Sequence, residues 1–171
     1  MSPSILVIGI GNRYRRDDGS ALLVLEAVAE RLPAGVAAVE SDGDPARMID
    51  LWTGVDLAVV LETVRSGNPP GTVVCFEGDE LLRDASARSG GEHGSHSLGL
   101  LEAVELARAL GRTPRRWTVV GIEPEDLGWG EGVSTPVAAA IGMAATAVLD
   151  LVVAGHHGNL ASAASQGGHA G

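Results

Sequence analysis

The sequence predicts a three-layer α/β/α sandwich built on a mixed five-stranded sheet. Two observations carry that expectation. Short unbroken apolar runs alternate with segments whose apolar residues recur at helical spacing, the pattern of strands buried on both faces and joined by helices. One link between apolar runs, residues 65–71, is too short for a parallel crossover, so one strand runs against the others.

Residues 4–11 are a continuous apolar run ending in Gly11 and read as a central strand. Asp17, Asp18 and Gly19 follow, then Leu25, Val28, Ala29 and Leu32 at helical spacing, so a pair of acids stands where a helix begins. Residues 36–39 form a shorter second strand closed by Ser41-Asp42-Gly43-Asp44-Pro45. Pro45 suits the first turn of a helix that runs to about Trp52. Residues 56–62 are the third strand and residues 72–76 the fourth, the antiparallel one.

Residues 79–95 read as a polar, Gly- and Ser-rich loop of a length that is usually functional. Leu100, Ala103, Val104, Ala107 and Leu110 mark an amphipathic helix, residues 117–122 the fifth strand, and Thr135-Pro136 the start of a long C-terminal helix. From Gly155 onward no periodicity survives. The expected organisation is a single domain over residues 1–154 and a disordered tail over 155–171.

Composition excludes several classes of function. Twelve basic residues against 22 acidic ones give a net charge of −10, which repels a phosphate backbone, so nucleic acid is not an expected partner. The single cysteine, Cys75, rules out an internal disulfide and a Cys-rich metal cage; with no basic leader, the cytoplasm is the expected location. Cys75 falls inside the fourth strand and reads as a small buried hydrophobe. Residues 137–154 are almost uncharged over a bilayer's length, but their Ala and Gly content and Asp150 favour a buried helix, and no membrane partner is expected. The chain is expected to act as a monomer.

In open α/β sheets, ligands bind beyond the carboxyl ends of the parallel strands, where loops from different strands meet. The first strand leads to Asp17 and Asp18, the third ends at Glu62, and the long loop brings His93 and His96. Carboxylates with imidazole suit nickel, zinc, iron or manganese, and the lack of nearby thiolates argues against structural zinc. Each residue also has a plainer reading. Asp17 or Asp18 could cap the helix, worth about 1 kcal/mol; Glu62 could be a solvated strand end, and His96 a loop histidine. Gly9-Ile10-Gly11 starts like a dinucleotide fingerprint, but the third glycine position holds Tyr14. With no G-x-S-x-G elbow and no histidine ahead of the long loop, covalent serine or cysteine catalysis is not expected.

The string ILVIGIGNRYRRDDG resembles the opening motif of hydrogenase maturation endopeptidases. The resemblance continues through Ser41-Asp42-Gly43, Val59 to Glu62, Pro70-Gly71-Thr72, Ser95-His96-Ser97-Leu98-Gly99-Leu100 and Val119 to Pro124, and covers roughly residues 4–153. It implies a sheet order of 2-1-3-5-4 with strand 4 antiparallel. It also implies that Asp18, Glu62 and His96 bind nickel, and that the partner is the precursor of a [NiFe] hydrogenase large subunit, whose C-terminal extension is removed. The nickel is supplied by that substrate and held weakly by the free enzyme. Asp42 then becomes the expected catalytic base or the group that positions the tail.

Two positions depart from the family pattern. The acid ending strand 3 is usually Asp, and Glu62 adds a methylene that moves its carboxylate about 1.5 Å further out on an unchanged backbone. The family's Asp-Gly-Gly-Thr after strand 2 is here Asp42-Gly43-Asp44-Pro45. Two other readings use the same features: a self-sufficient metal-dependent hydrolase with the same carboxylates and histidine, and a non-catalytic regulatory module.

Overall fold

The computed structural model describes residues 4–78, 80, 83 and 95–166, with side chains in the last stretch for 99–157. Five strands, β1 (Ile5–Ile10), β2 (Val36–Ser41), β3 (Leu57–Thr63), β4 (Val73–Glu77) and β5 (Arg116–Ile122), form one sheet in the order β2-β1-β3-β5-β4. All neighbours are parallel except β4 and β5, which pair antiparallel. The sheet order, the mixed pairing and the short 65–71 link therefore agree with the expectation.

Helices cover the sheet, among them α1 (Ser20–Ala29), α2 (Pro45–Trp52), α3 (Ser95–Ala109) and α4 (Thr135–Gln166). Successive strand residues face opposite ways, so each central strand feeds two cores. Ile5 and Val7 of β1, with Leu57, Val59 and Leu61 of β3, pack under α1 and α4. Leu6, Ile8 and Ile10, with Ala58 and Val60, pack under α2 and α3. Burial on both faces explains why β1 and β3 read as unbroken apolar runs. Asp44 caps α2 by accepting the Arg47 N–H at 2.9 Å, and Pro45 occupies the first turn.

Three local expectations are corrected. α3 starts at Ser95, a turn earlier than its apolar periodicity suggests, so His96 lies in its first turn rather than in a loop. The tail expected from Gly155 instead continues α4 to Gln166. Gly155 is buried there, where a Cβ would stand 2.5 Å from Leu57 Cδ2, so the glycine lets the helix close on the sheet instead of ending it. Cys75 is exposed, not buried. It lies on an edge strand, and the cover that the α1/α4 core gives to Val73 on the same face does not reach it. Residues 135–157 are long and apolar enough to cross a membrane, with mean hydropathy 2.2; in this fold Val137, Ala140, Ala144, Val148 and Val152 of that segment are core. Most of the polar stretch 79–95 and residues 167–171 lie outside the described residues.

Candidate active site at the carboxyl edge of the sheet

β1 ends in two glycines that serve close packing. A Cβ on Gly11 would stand 2.1 Å from the Asp18 carbonyl oxygen, and one on Gly9 would meet Ala21 O and Leu25 of α1 at 3.3 Å. Here the G-x-G spacing lets the strand lie against an acidic turn and a helix. The turn itself is a single stretch of 3₁₀ helix, Arg16–Gly19, entered through a positive φ of 48° at Arg16.

Asp17 fixes this turn. Its carboxylate accepts the N–H groups of Glu125 and Asp126 at 2.8 Å, the N–H of Ser134 at 2.6 Å and the Ser134 hydroxyl at 2.9 Å. Burial by itself pushes this carboxyl up. The hydrogen bonds from Asp126, Ser134 and Glu125 outweigh burial and hold it below the usual carboxylate range. A second tie comes from β3, where Thr63 Oγ1 donates to Asp17 O at 3.1 Å and sits 3.2 Å from Ser20 Oγ, which donates to it.

That tie sets the positions of the two predicted acids. Glu62 precedes Thr63 and Asp18 follows Asp17, so the two stand on the chain neighbours of one hydrogen bond. Each is only 3% exposed. Neither acid is the cap residue of α1, because its N-cap is Gly19, which has no side chain to accept an N–H. The solvated strand-end reading of Glu62 fails on its burial. Glu62 lies opposite Gly121 of β5, where a Cβ would press within 2.4 Å of Val64 Cγ2. Two carboxylates removed from water require protons, strong donors or a cation.

The opposite wall comes from the β2–α2 loop. Gly11 N donates to Ser41 O at 3.3 Å, and Ser41 Oγ accepts the Gly43 N–H at 3.1 Å. Asp42 is exposed, accepts the Asp44 N–H at 3.2 Å, and lines a cleft of about 290 Å³ with Gly11, Leu22, Ser41 and Arg47. α3 closes on this loop, since a Cβ on Gly99 would stand 2.9 Å from Gly43 O. His96 is one turn earlier on the same helix. Its imidazole, like all of His93, lies outside the described residues, and among those described no three or more His, Cys, Asp and Glu side chains gather as a metal cluster.

Sequence reasoning missed the residues that hold the edge together. Asp17 carries no role in the sequence reading beyond a possible helix cap, and Thr63, Ser134 and Glu123 carry none. Glu123, buried at the end of β5, accepts Ser66 N–H at 2.8 Å, Ser66 Oγ–H at 2.6 Å and Gly67 N–H at 3.3 Å, and so pins the β3–β4 link. These bonds join segments far apart in sequence, which no local pattern announces.

Residues 24–151 match a family profile described as hydrogenase maturation protease. The chain is 31% identical over 127 residues to the hydrogenase expression/formation protein HupD of Thiocapsa roseopersicina, an alignment that covers 73% of this chain but only 56% of that relative. It is 29% identical over 155 residues to the hydrogenase 2 maturation protease of Escherichia coli, covering 85% of this chain and 88% of the relative. The solved structure of the hydrogenase maturating endopeptidase HybD from E. coli superposes with a TM-score of 0.77 at 26% identity, covering 89% of this chain and 92% of that one. A profile spanning more than half of the sequence and a fold shared along nearly all of it agree: the chain belongs to the hydrogenase maturation protease family.

Proposed function

We propose that this chain is the endopeptidase that removes the C-terminal extension from a nickel-loaded [NiFe] hydrogenase large-subunit precursor, acting in the cytoplasm as a monomer. One observation carries the reading beyond family membership. Asp18 and Glu62, both buried, flank a single hydrogen bond at the carboxyl edge of the sheet, where ligands of such folds bind.

In this reading the nickel is part of the substrate. Asp18, Glu62 and His96 are the residues that would complete its coordination, and oxygen with imidazole donors suits this borderline cation. Offering only three donors and no thiolate, the free protein holds the ion weakly. A loaded precursor gains contacts that an empty one lacks, and that difference in affinity makes metal insertion a condition for cleavage.

Asp42 is the group placed to handle the proton. An exposed carboxylate on a cleft wall can take a proton from an attacking water as the peptide bond is cut. Arg47 and the Gly11 strand end lie along the same cleft and can position the extension.

The deciding experiment compares nickel-loaded and nickel-free precursor with the purified protein, using His96→Ala as a control. Cleavage is expected only for the loaded form, and the variant should cut neither. Equal cutting of both forms would remove the nickel requirement.

A further inference from the structure

Of the three tryptophans, Trp52 and Trp117 are buried, whereas Trp129 is 79% exposed; the only tyrosine, Tyr14, is 64% exposed. Tyr14 stands just before the acidic turn, and Trp129 stands in the loop after β5 whose Glu125 and Asp126 N–H groups bind Asp17. The chain otherwise hides its large rings, and exposed aromatic area of this kind marks sites of interaction.

The two rings stand on loops that are locked together. Arg16 N donates to Gly130 O, and Gly130 N donates to Tyr14 O, both at 2.9 Å. The Arg15 guanidinium lies 5.9 Å from the Trp129 ring centroid and donates to Leu127 O at 3.2 Å. Gly130 has a φ of 143°, and a Cβ there would lie 2.7 Å from Arg16 Nε, so only glycine permits so close a strap. Asp17 anchors the base of the same pair of loops through its four bonds. The surface is thus ordered before any partner arrives, which lowers the entropy lost on docking.

We propose that Tyr14, Arg15 and Trp129 form the docking platform for the folded body of the precursor, apart from the cleft that takes its extension. This rests on the function proposed above and adds how the substrate is recognised. Trp, Tyr and Arg are the residue types that dominate binding energy in protein interfaces. Asp18 N donates to Arg15 O at 3.0 Å, so the platform adjoins the acidic turn, and a protein that brings its metal to that turn lies beside these rings. A cleft of about 190 Å³ lined by Arg13, Arg16, Gly19, Leu23, Glu131 and Val133 opens beside the strap, and its Leu23 and Val133 can receive an apolar side chain from that protein.

Burial of the rings, not net charge, drives this contact. Arg13 is paired with Glu26 and Glu40, Arg16 lies 3.9 Å from Asp126, and the remaining cation of the platform, Arg15, is matched in number by Glu131 of the adjoining cleft. Docking should accordingly depend little on salt.

The test measures cleavage kinetics on nickel-loaded precursor for the wild type, Trp129→Ala, Trp129→Phe and Tyr14→Ala, at low and raised salt, with melting temperatures as a folding control. Trp129→Ala should raise KM about tenfold with kcat and Tm unchanged, Trp129→Phe should restore most of the loss, and Tyr14→Ala should act in the same direction. An unchanged KM, or a loss confined to kcat, would overturn the platform while leaving the peptidase reading intact. A wild-type dimer in sedimentation that Trp129→Ala dissolves would also overturn it, by showing that a second copy covers these rings. A wild type that fails to cut loaded precursor would bring down the proposed function itself, and the platform's occupant with it.

Discussion

The two walls of the carboxyl edge are built differently. The turn carrying Asp17 and Asp18 is buried and held by chain segments 46, 108, 109 and 117 residues away. The loop carrying Asp42 leaves both Asp42 and Asp44 exposed, and the side-chain bonds of residues 41–44 span only two or three residues. A wall fixed to distant parts of the sheet keeps its carboxylates in register, which the proposed reading of an ion would require. A wall whose side-chain bonds are local, and whose outer residues Asp42 and Asp44 are exposed, leaves room to adjust to the proposed incoming tail.

The sharpest way to break this contrast is Asp17→Ala. It removes a buried acceptor and leaves the N–H groups of Glu125, Asp126 and Ser134 without their partner, so a loss of about 3–5 kcal/mol in urea unfolding is expected. The acid dependence gives an independent check. The folded-state carboxyl lies below its ordinary range, so its contribution is complete above the unfolded-state pKa and is lost as pH falls through the folded-state value. The stability gap between wild type and Asp17→Asn should therefore close on acidification. A gap that stays constant with pH would mean the ionised carboxylate is not what holds the turn.

The same contrast explains what the sequence disclosed. Apolar runs announced β1, β3 and β5 because strands buried on both faces have no polar side to show. The short 65–71 link announced the reversal of β4. The Asp42 loop was legible because Asp44, Pro45 and Arg47 act on one another locally. The acidic turn was only half legible: the family motif singled out Asp18 as the expected ligand, but the anchoring role of Asp17 depends on partners beyond residue 120. The segment from Gly155 misled for the same reason. No periodicity marks it as helix, and only the nearness of Leu57, almost a hundred residues earlier, makes Gly155 a packing device.

A smaller effect should follow from Gly11→Ala. The added methyl would stand 2.1 Å from the Asp18 carbonyl oxygen, a backbone atom that cannot rotate away, so the turn must shift. A loss of about 1–3 kcal/mol is expected. Cleavage of loaded precursor should fall further than stability does, because displacement of Asp18 disturbs the site directly. If cleavage is retained at full rate, the register of Asp18 is not what the rigid wall provides.

The smallest effect on folding belongs to the other wall. Asp42→Asn keeps an oxygen that can accept the Asp44 N–H at an exposed position, so the melting temperature should move by no more than about 1–2 °C. Activity should behave in the opposite way. An amide cannot take a proton from water, and loss of a general base lowers the rate by about 10²–10⁴-fold. The predicted signature is an enzyme that folds normally, binds loaded precursor with unaltered affinity and fails to cut it. Retained cutting with weakened binding would instead make Asp42 a group that positions the extension, and the proton would have to go elsewhere.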